Sequence, residues 1–145
     1  MSYLELLPAV DVKDGRAVRL VQGELAKESI YGSPLEVALD FQKSGAEWLH
    51  LVDLDAAFKS GSNSELIQDI IEASPIKIQL SGGIIDEDSL QKALRTKAAR
   101  INISTAALRN VGWIVKAIRS NEERLTIGLD IDNGVLVARG SGEVI

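Results

Sequence analysis

The sequence predicts an α/β fold built on a parallel sheet. Three observations carry this. Short β-rich runs alternate with amphipathic stretches, the connections between them are short, and a segment near the start recurs near the end. Strands joined through a helix re-enter the sheet in the same direction, so this alternation gives parallel strands flanked by helices.

The strand-like runs are residues 6–12, 48–54, 76–80, 100–104 and 125–130. Four helices lie between them. For the first, Ser33 is an N-cap, Pro34 suits the first helical position, Glu36 completes a Ser-x-x-Glu capping box and Gly45 supplies the stop. The second, residues 64–73, carries Leu66, Ile67, Ile70 and Ile71 on one stripe and ends before Ser74-Pro75. The third starts at Asp86, with Leu90, Ala93 and Leu94 inward. The fourth starts near Asn110, with Val111, Ile114, Val115 and Ile118 on its buried side.

This pattern leaves both an open doubly wound sheet and a barrel standing. No Gly-x-Gly-x-x-Gly follows the first strand, so the usual dinucleotide fingerprint is missing. The repeat discriminates further. Asp11-Val-Lys-Asp14-Gly15-Arg-Ala-Val18, leading to Gly23-Glu24, matches Asp130-Ile-Asp-Asn133-Gly134-Val-Leu-Val137, leading to Gly142-Glu143, at a constant offset of 119 residues. In both, a strand ends in aspartate and an Asp-Gly or Asn-Gly pair turns a hairpin. The alternative is chance similarity around a common turn. As a duplication, the repeat makes residues 1–145 one partial barrel domain, its halves beginning near 6 and near 125. Twice the offset approaches the roughly 250 residues of a (β/α)8 barrel. The expected content is the first five barrel strands and four helices.

Composition bounds the function. With 46% hydrophobic residues in 145, the chain reads as one ordinary globular domain. There is no apolar run of membrane-spanning length, and the N-terminus lacks the basic start of a secretory signal, so a cytoplasmic protein without a membrane partner is expected. Absence of cysteine removes disulfides, thiolate metal sites and a cysteine nucleophile, and the single histidine, His50, removes a multi-histidine metal centre. A net charge of −5 with interspersed signs argues against nucleic acid as a partner.

Leu7-Pro8-Ala9-Val10-Asp11-Val12, then Asp14-Gly15, Val18-Arg19-Leu20 and Gln22-Gly23, resembles the start of the histidine-pathway phosphoribosyl isomerases. His50-Leu-Val-Asp53-Leu-Asp55-Ala56-Ala57, Ser81-Gly82-Gly83-Ile84, Asn102-Ile-Ser-Thr105-Ala106-Ala107 and Gly128-Leu129-Asp130 continue the match in order, over essentially the whole chain. Ser81 and Trp48 are most similar to the actinobacterial branch called phosphoribosyl isomerase A, many members of which also serve tryptophan biosynthesis. The related cyclase subunit of imidazole glycerol phosphate synthase usually has cysteine before the first aspartate and lysine in the hairpin, where this chain has Ala9 or Val10 and Arg19. Three positions depart from the family pattern. Ile85 replaces the usual arginine, Ser104 the usual glycine, and Arg139-Gly140-Ser141 the usual Arg-Gly-Trp, which removes an aromatic expected over the substrate.

The resemblance implies a (β/α)8 barrel, no cofactor, a phosphorylated small-molecule substrate and an Amadori rearrangement of an aminoaldose to an aminoketose. Asp11 is then the base and Asp130 the acid, facing each other across the barrel mouth. Strand-terminal aspartates that merely cap turns are the alternative. Gly82 and Gly83, with Ser104 and Thr105, suit a phosphate site, since glycine lets backbone N–H groups approach an anion and hydroxyls add donors. A tight βα turn is the plainer reading. Arg19 suits a phosphate or carboxylate clamp, or is a solvated hairpin arginine. His50 supports the catalytic aspartate or is a core residue. Asp53 lines the mouth, or Asp53 and Asp55 organise the next loop. The sixth to eighth strands and a second phosphate loop are expected beyond Ile145, so this stretch alone is expected to be an inactive, unclosed barrel. The competing function is a noncatalytic half-barrel that binds phosphate or pairs with another chain.

Overall fold

The computed structural model describes residues 4–21 and 24–145, and the side chains of residues 21–29 are not among those described. Gln22 and Gly23 of the sequence motif therefore lie outside the described residues. The chain order is β1 (Ala9–Lys13), β2 (Arg16–Val21), β3 (Glu24–Gly32), α1 (Pro34–Lys43), β4 (Trp48–Asp53), α2 (Leu54–Ala57), α3 (Ser64–Ala73), β5 (Lys77–Ser81), α4 (Glu87–Arg95) and β6 (Arg100–Ile103). A 3-10 helix (Thr105–Asn110), α5 (Val111–Ser120), β7 (Leu125–Ile127), β8 (Ile131–Asp132) and β9 (Val135–Leu136) follow.

The main sheet has the order β3-β2-β1-β4-β5-β6-β7. From β1 to β7 every neighbouring pair is parallel, which is the predicted βα alternation. The predicted Asp-Gly hairpin folds β2 back antiparallel on β1, and β3 extends it. Asp14 and Gly15 have φ of 48° and 71°, and Asn133 and Gly134 have 48° and 82° between β8 and β9. Both turns thus take the doubly positive φ of a type I′ hairpin, which Asp, Asn and Gly tolerate.

Helix ends follow local chemistry. The Ser33 hydroxyl accepts the Glu36 N–H, half of the expected capping box, and a full box forms instead at α4 between Asp86 and Ser89. Asn110 caps α5 through the Trp113 N–H. The core lies between sheet and helices: Val10, Leu49, Leu51, Ile78, Leu80, Ile101 and Ile103 from strands meet Ile67, Ile70, Ile71, Leu90, Ala93, Ile114 and Ala117 from helices.

The structure corrects three expectations and adds two elements, β3 and α2, that were not expected. Val111 and Val115 of α5 are exposed, because the buried stripe is centred on Ile114 and Ala117. The first strand begins at Ala9 rather than residue 6, since Pro8 has no N–H to donate and only its carbonyl is engaged, by His50. The last parallel strand stops at Ile127, beyond which Thr105 takes over the backbone groups of Gly128 and Asp130. β3 and the four-residue α2 lacked a readable period.

Candidate active site

Parallel strands alternate their side chains between two faces. Val10 and Val12 point into the helix-covered core, so Ala9, Asp11 and Lys13 occupy the opposite, inner face. Register carries that face across the sheet. Asp11 pairs with Val52 and Val52 with Ser81, while Ala9 pairs with His50 and His50 with Gln79. Asn102 reaches Ser81 Oγ at 3.2 Å and accepts from Thr126 Oγ1 at 3.1 Å. The inner face is thus polar at its upper end, a composition suited to a ligand rather than a packed core.

A cavity of about 230 Å3 opens where the parallel strands end. Its lining includes His50, Gly82, Gly83, Ser104 and Asp130 of the sequence candidates, with Lys59, Arg109 and Arg139 as cations. Asp11 stands beside the lining, close enough to His50 and Arg139 for their charges to act on it. Burial raises its carboxyl above the usual 3.8, and Arg139 and His50 oppose that rise without cancelling it. Burial likewise lowers the His50 imidazole below 6.5, against the pull of Gln79 and Asp11, with Arg139 adding to the fall.

Asp130 is held differently. Its backbone N–H donates to Thr105 Oγ1 at 2.8 Å, the same hydroxyl donates to the Gly128 carbonyl at 2.8 Å, and the Arg139 guanidinium donates to its carboxylate at 3.0 Å. Thr105 is fully buried and absent from the cavity lining, so its hydroxyl is committed to this anchoring, not presented to a phosphate. Arg19 also stays away from the cavity: Val18 shares the inner face with Asp11, and the next residue points to the other face, exposed.

The glycine pair has a packing reason. Gly82 and Gly83 have φ of 111° and 68°, and a Cβ on Gly82 would land on the Asp53 carbonyl, while one on Gly83 would approach the Ala56 carbonyl at 2.8 Å. Asp53 and Asp55 organise the neighbouring loop, the second of their two sequence readings. Asp53 accepts from Ala56 N–H and from both nitrogens of Asn63; Asp55 accepts from Asn63, Ser60 and the Asp14 N–H. Asn63 also accepts the Gly15 N–H, tying the hairpin turn to this loop.

Sequence reasoning missed Gln79, Asn102, Arg109 and the anchoring role of Thr105. The first was signalled by Lys77-Ile78-Gln79-Leu80-Ser81, a strand whose alternate residues are polar. Among the described residues no cluster of three or more His, Asp or Glu side chains could hold a metal.

A family model described as histidine biosynthesis protein matches residues 5–144. The chain belongs to this family. The sheet is accordingly the first part of a (β/α)8 barrel, the fold of histidine biosynthesis proteins of this type. Phosphoribosyl isomerase A of Streptomyces coelicolor is 56% identical over 140 residues, covering 97% of this chain and 58% of its own length. An imidazole-4-carboxamide isomerase of Frankia alni, whose name specifies two phosphoribosyl groups, is 58% identical over 137 residues, covering 94% of this chain and 56% of its own. The chain therefore spans little more than half the length of the curated relatives it matches. No helix among the described residues is long and apolar enough to cross a membrane.

Proposed function

We propose that this chain supplies the base Asp11 and the acid Asp130 of an aldose-ketose isomerase that acts on a phosphoribosyl aminoaldose in histidine biosynthesis, in the cytoplasm. The observation that carries the reading is a pair of carboxylates in unlike surroundings, Asp130 in the cavity lining and Asp11 beside His50 and Arg139 of the same lining. Asp11, with its proton affinity raised by burial, is a stronger base than an ordinary aspartate. It removes the proton from the carbon next to the imine, and Asp130 protonates the ring oxygen as the sugar opens. To donate, Asp130 must first take up a proton, and the oxygen that accepts from Arg139 would have to be freed for it when the substrate binds.

The substrate phosphate is proposed to sit between the loops at Gly82-Gly83 and Ser104-Thr105, with Lys59 and Arg109 nearby in the lining. Backbone N–H groups, rather than the Thr105 hydroxyl, would be the donors there. The common aspartate-plus-type I′-turn geometry supports the reading of residues 6 and 125 as the starts of duplicated halves within one partial domain. The tryptophan-pathway aminoaldose is the second substrate to assay.

The test is Asp11→Asn and Asp130→Asn in the protein including any sequence beyond Ile145. Each should cut turnover about 100- to 10,000-fold while substrate binding persists. Near-normal turnover in either folded variant removes that residue from its role. The alternative, a noncatalytic phosphate-binding half-barrel or assembly partner, draws on exposed Leu4, Leu6, Leu129 and Ile131. Phosphate binding with no isomerisation would favour it.

A further inference from the structure

His50 and Gln79 are register partners on β4 and β5, and Gln79 Oε1 lies 2.8 Å from His50 Nδ1. With the Gln79 amide oxygen turned toward the ring, that oxygen can only accept, and the contact is a hydrogen bond when Nδ1 carries the proton. The neutral ring then keeps its lone pair on Nε2, the remaining polar atom of a side chain that lines the cavity. Charged groups act on this ring from two elements: Asp11 of β1 and Arg139 of the C-terminal segment. Gln79 itself is neutral.

We propose that Gln79 is a positioning residue that fixes His50 in the Nδ1–H tautomer, leaving Nε2 to act toward the proposed base Asp11 as an acceptor and not as a donor. The proposal rests on the reading of Asp11 as the base. The tautomer matters because it selects which form of the neighbouring carboxyl is favoured. An Nε2–H would donate to the carboxylate and stabilise it, weakening the base. A bare Nε2 accepts from the carboxylic acid that Asp11 becomes once it has taken the substrate proton. Burial that keeps the imidazole neutral works in the same direction.

Ring 15N NMR reads this directly. Residues 1–145 contain one histidine, and in the protein with any further sequence its signals are those lost in His50→Gln. At neutral pH the expected spectrum has a protonated Nδ1 and an unprotonated Nε2. Gln79→Leu should abolish that pattern in favour of Nε2–H. Gln79→Glu, which retains the acceptor and adds a charge, should keep it and raise the His50 titration midpoint. A wild-type ring protonated at Nε2, or a midpoint that does not rise in Gln79→Glu, overturns the proposal; so does an unchanged tautomer in folded Gln79→Leu. The Glu variant decides the matter if the Leu variant does not fold. No outcome depends on turnover, so failure here is distinct from failure of the isomerase reading.

Discussion

The Thr105 hydroxyl receives the backbone N–H of Asp130 at 2.8 Å, taking the place of a sheet neighbour where β7 has ended. Its own proton goes to the Gly128 carbonyl, and the Asp130 carboxylate lies 3.2 Å away. Thr105→Val keeps the shape of the fully buried side chain but leaves the half-buried Gly128 carbonyl and Asp130 N–H without this partner. It should cost about 1–3 kcal/mol in urea unfolding, with Thr105→Ser recovering most of it. A stability equal to wild type in Thr105→Val would show that the anchoring is dispensable.

Asp11 offers a pH signature. Its carboxyl is raised above 3.8 by burial, so the folded protein binds this proton more tightly than the unfolded chain. The carboxyl therefore costs stability at neutral pH, and that cost disappears as pH falls through the raised value and below 3.8. Asp11→Asn should be more stable than wild type at pH 7, with the two converging in acid. A gap that is constant across this range, or of opposite sign, argues against a desolvated Asp11.

The loop between β4 and α3 should behave oppositely. Burial alone would raise the Asp55 carboxyl, but bonds from the Asp14 N–H, Asn63 and Ser60, with the charge of Lys13, bring it below 3.8. Its contribution is present above pH 3.8 and is lost as pH falls through the lowered folded value. Asn63→Ala removes donors to both aspartates and should cost about 1.5–3 kcal/mol for a bond to a charged group. Amide exchange at Asp14 and Gly15 should accelerate in the same variant, and unchanged exchange would separate the hairpin turn from this network.

Gly82 can be tested for packing and ligand binding separately. Gly82→Ala drives a Cβ into the Asp53 carbonyl at a positive φ, so a loss of about 3 kcal/mol or more is expected in thermal or urea unfolding. In the wild type, phosphate titration should move the amide signals of Gly82, Gly83, Thr105 and Ala106. If none of the four responds in the folded protein, the phosphate loops are wrongly placed.

What could be read in the sequence was what rests on local rules. Ser33-Pro34 and Asn110 at helix starts, the apolar stripe of α3, and the paired Asp-Gly and Asn-Gly turns each act through neighbours a few residues away. The candidates His50, Gly82, Gly83, Ser104 and Asp130 surround one cavity because each falls on a parallel strand or just beyond it. Long-range pairings were not readable. That Asn63 binds two aspartates and a hairpin turn, or that Thr105 spends its hydroxyl on Gly128, 23 residues later in the chain and just past the end of β7, depends on which strands become neighbours. β3 was missed because its sequence, Glu24-Leu-Ala-Lys-Glu-Ser-Ile-Tyr-Gly32, shows no regular alternation of apolar and polar residues, and what makes it a strand is its long-range pairing with β2.

The hairpin leaves only the lower part of β1 available on its outer side. β2 pairs with Asp11, Val12 and Lys13, while the same edge at Ala9 and Val10 carries no registered partner among the described strands. A strand added on that edge could pair with β1 only at Ala9 and Val10, since β2 already occupies it from Asp11 onward. The hairpin would thereby gauge how far that strand can slide, holding the Asp11 carboxylate at the rim instead of letting it sink among the inner layers.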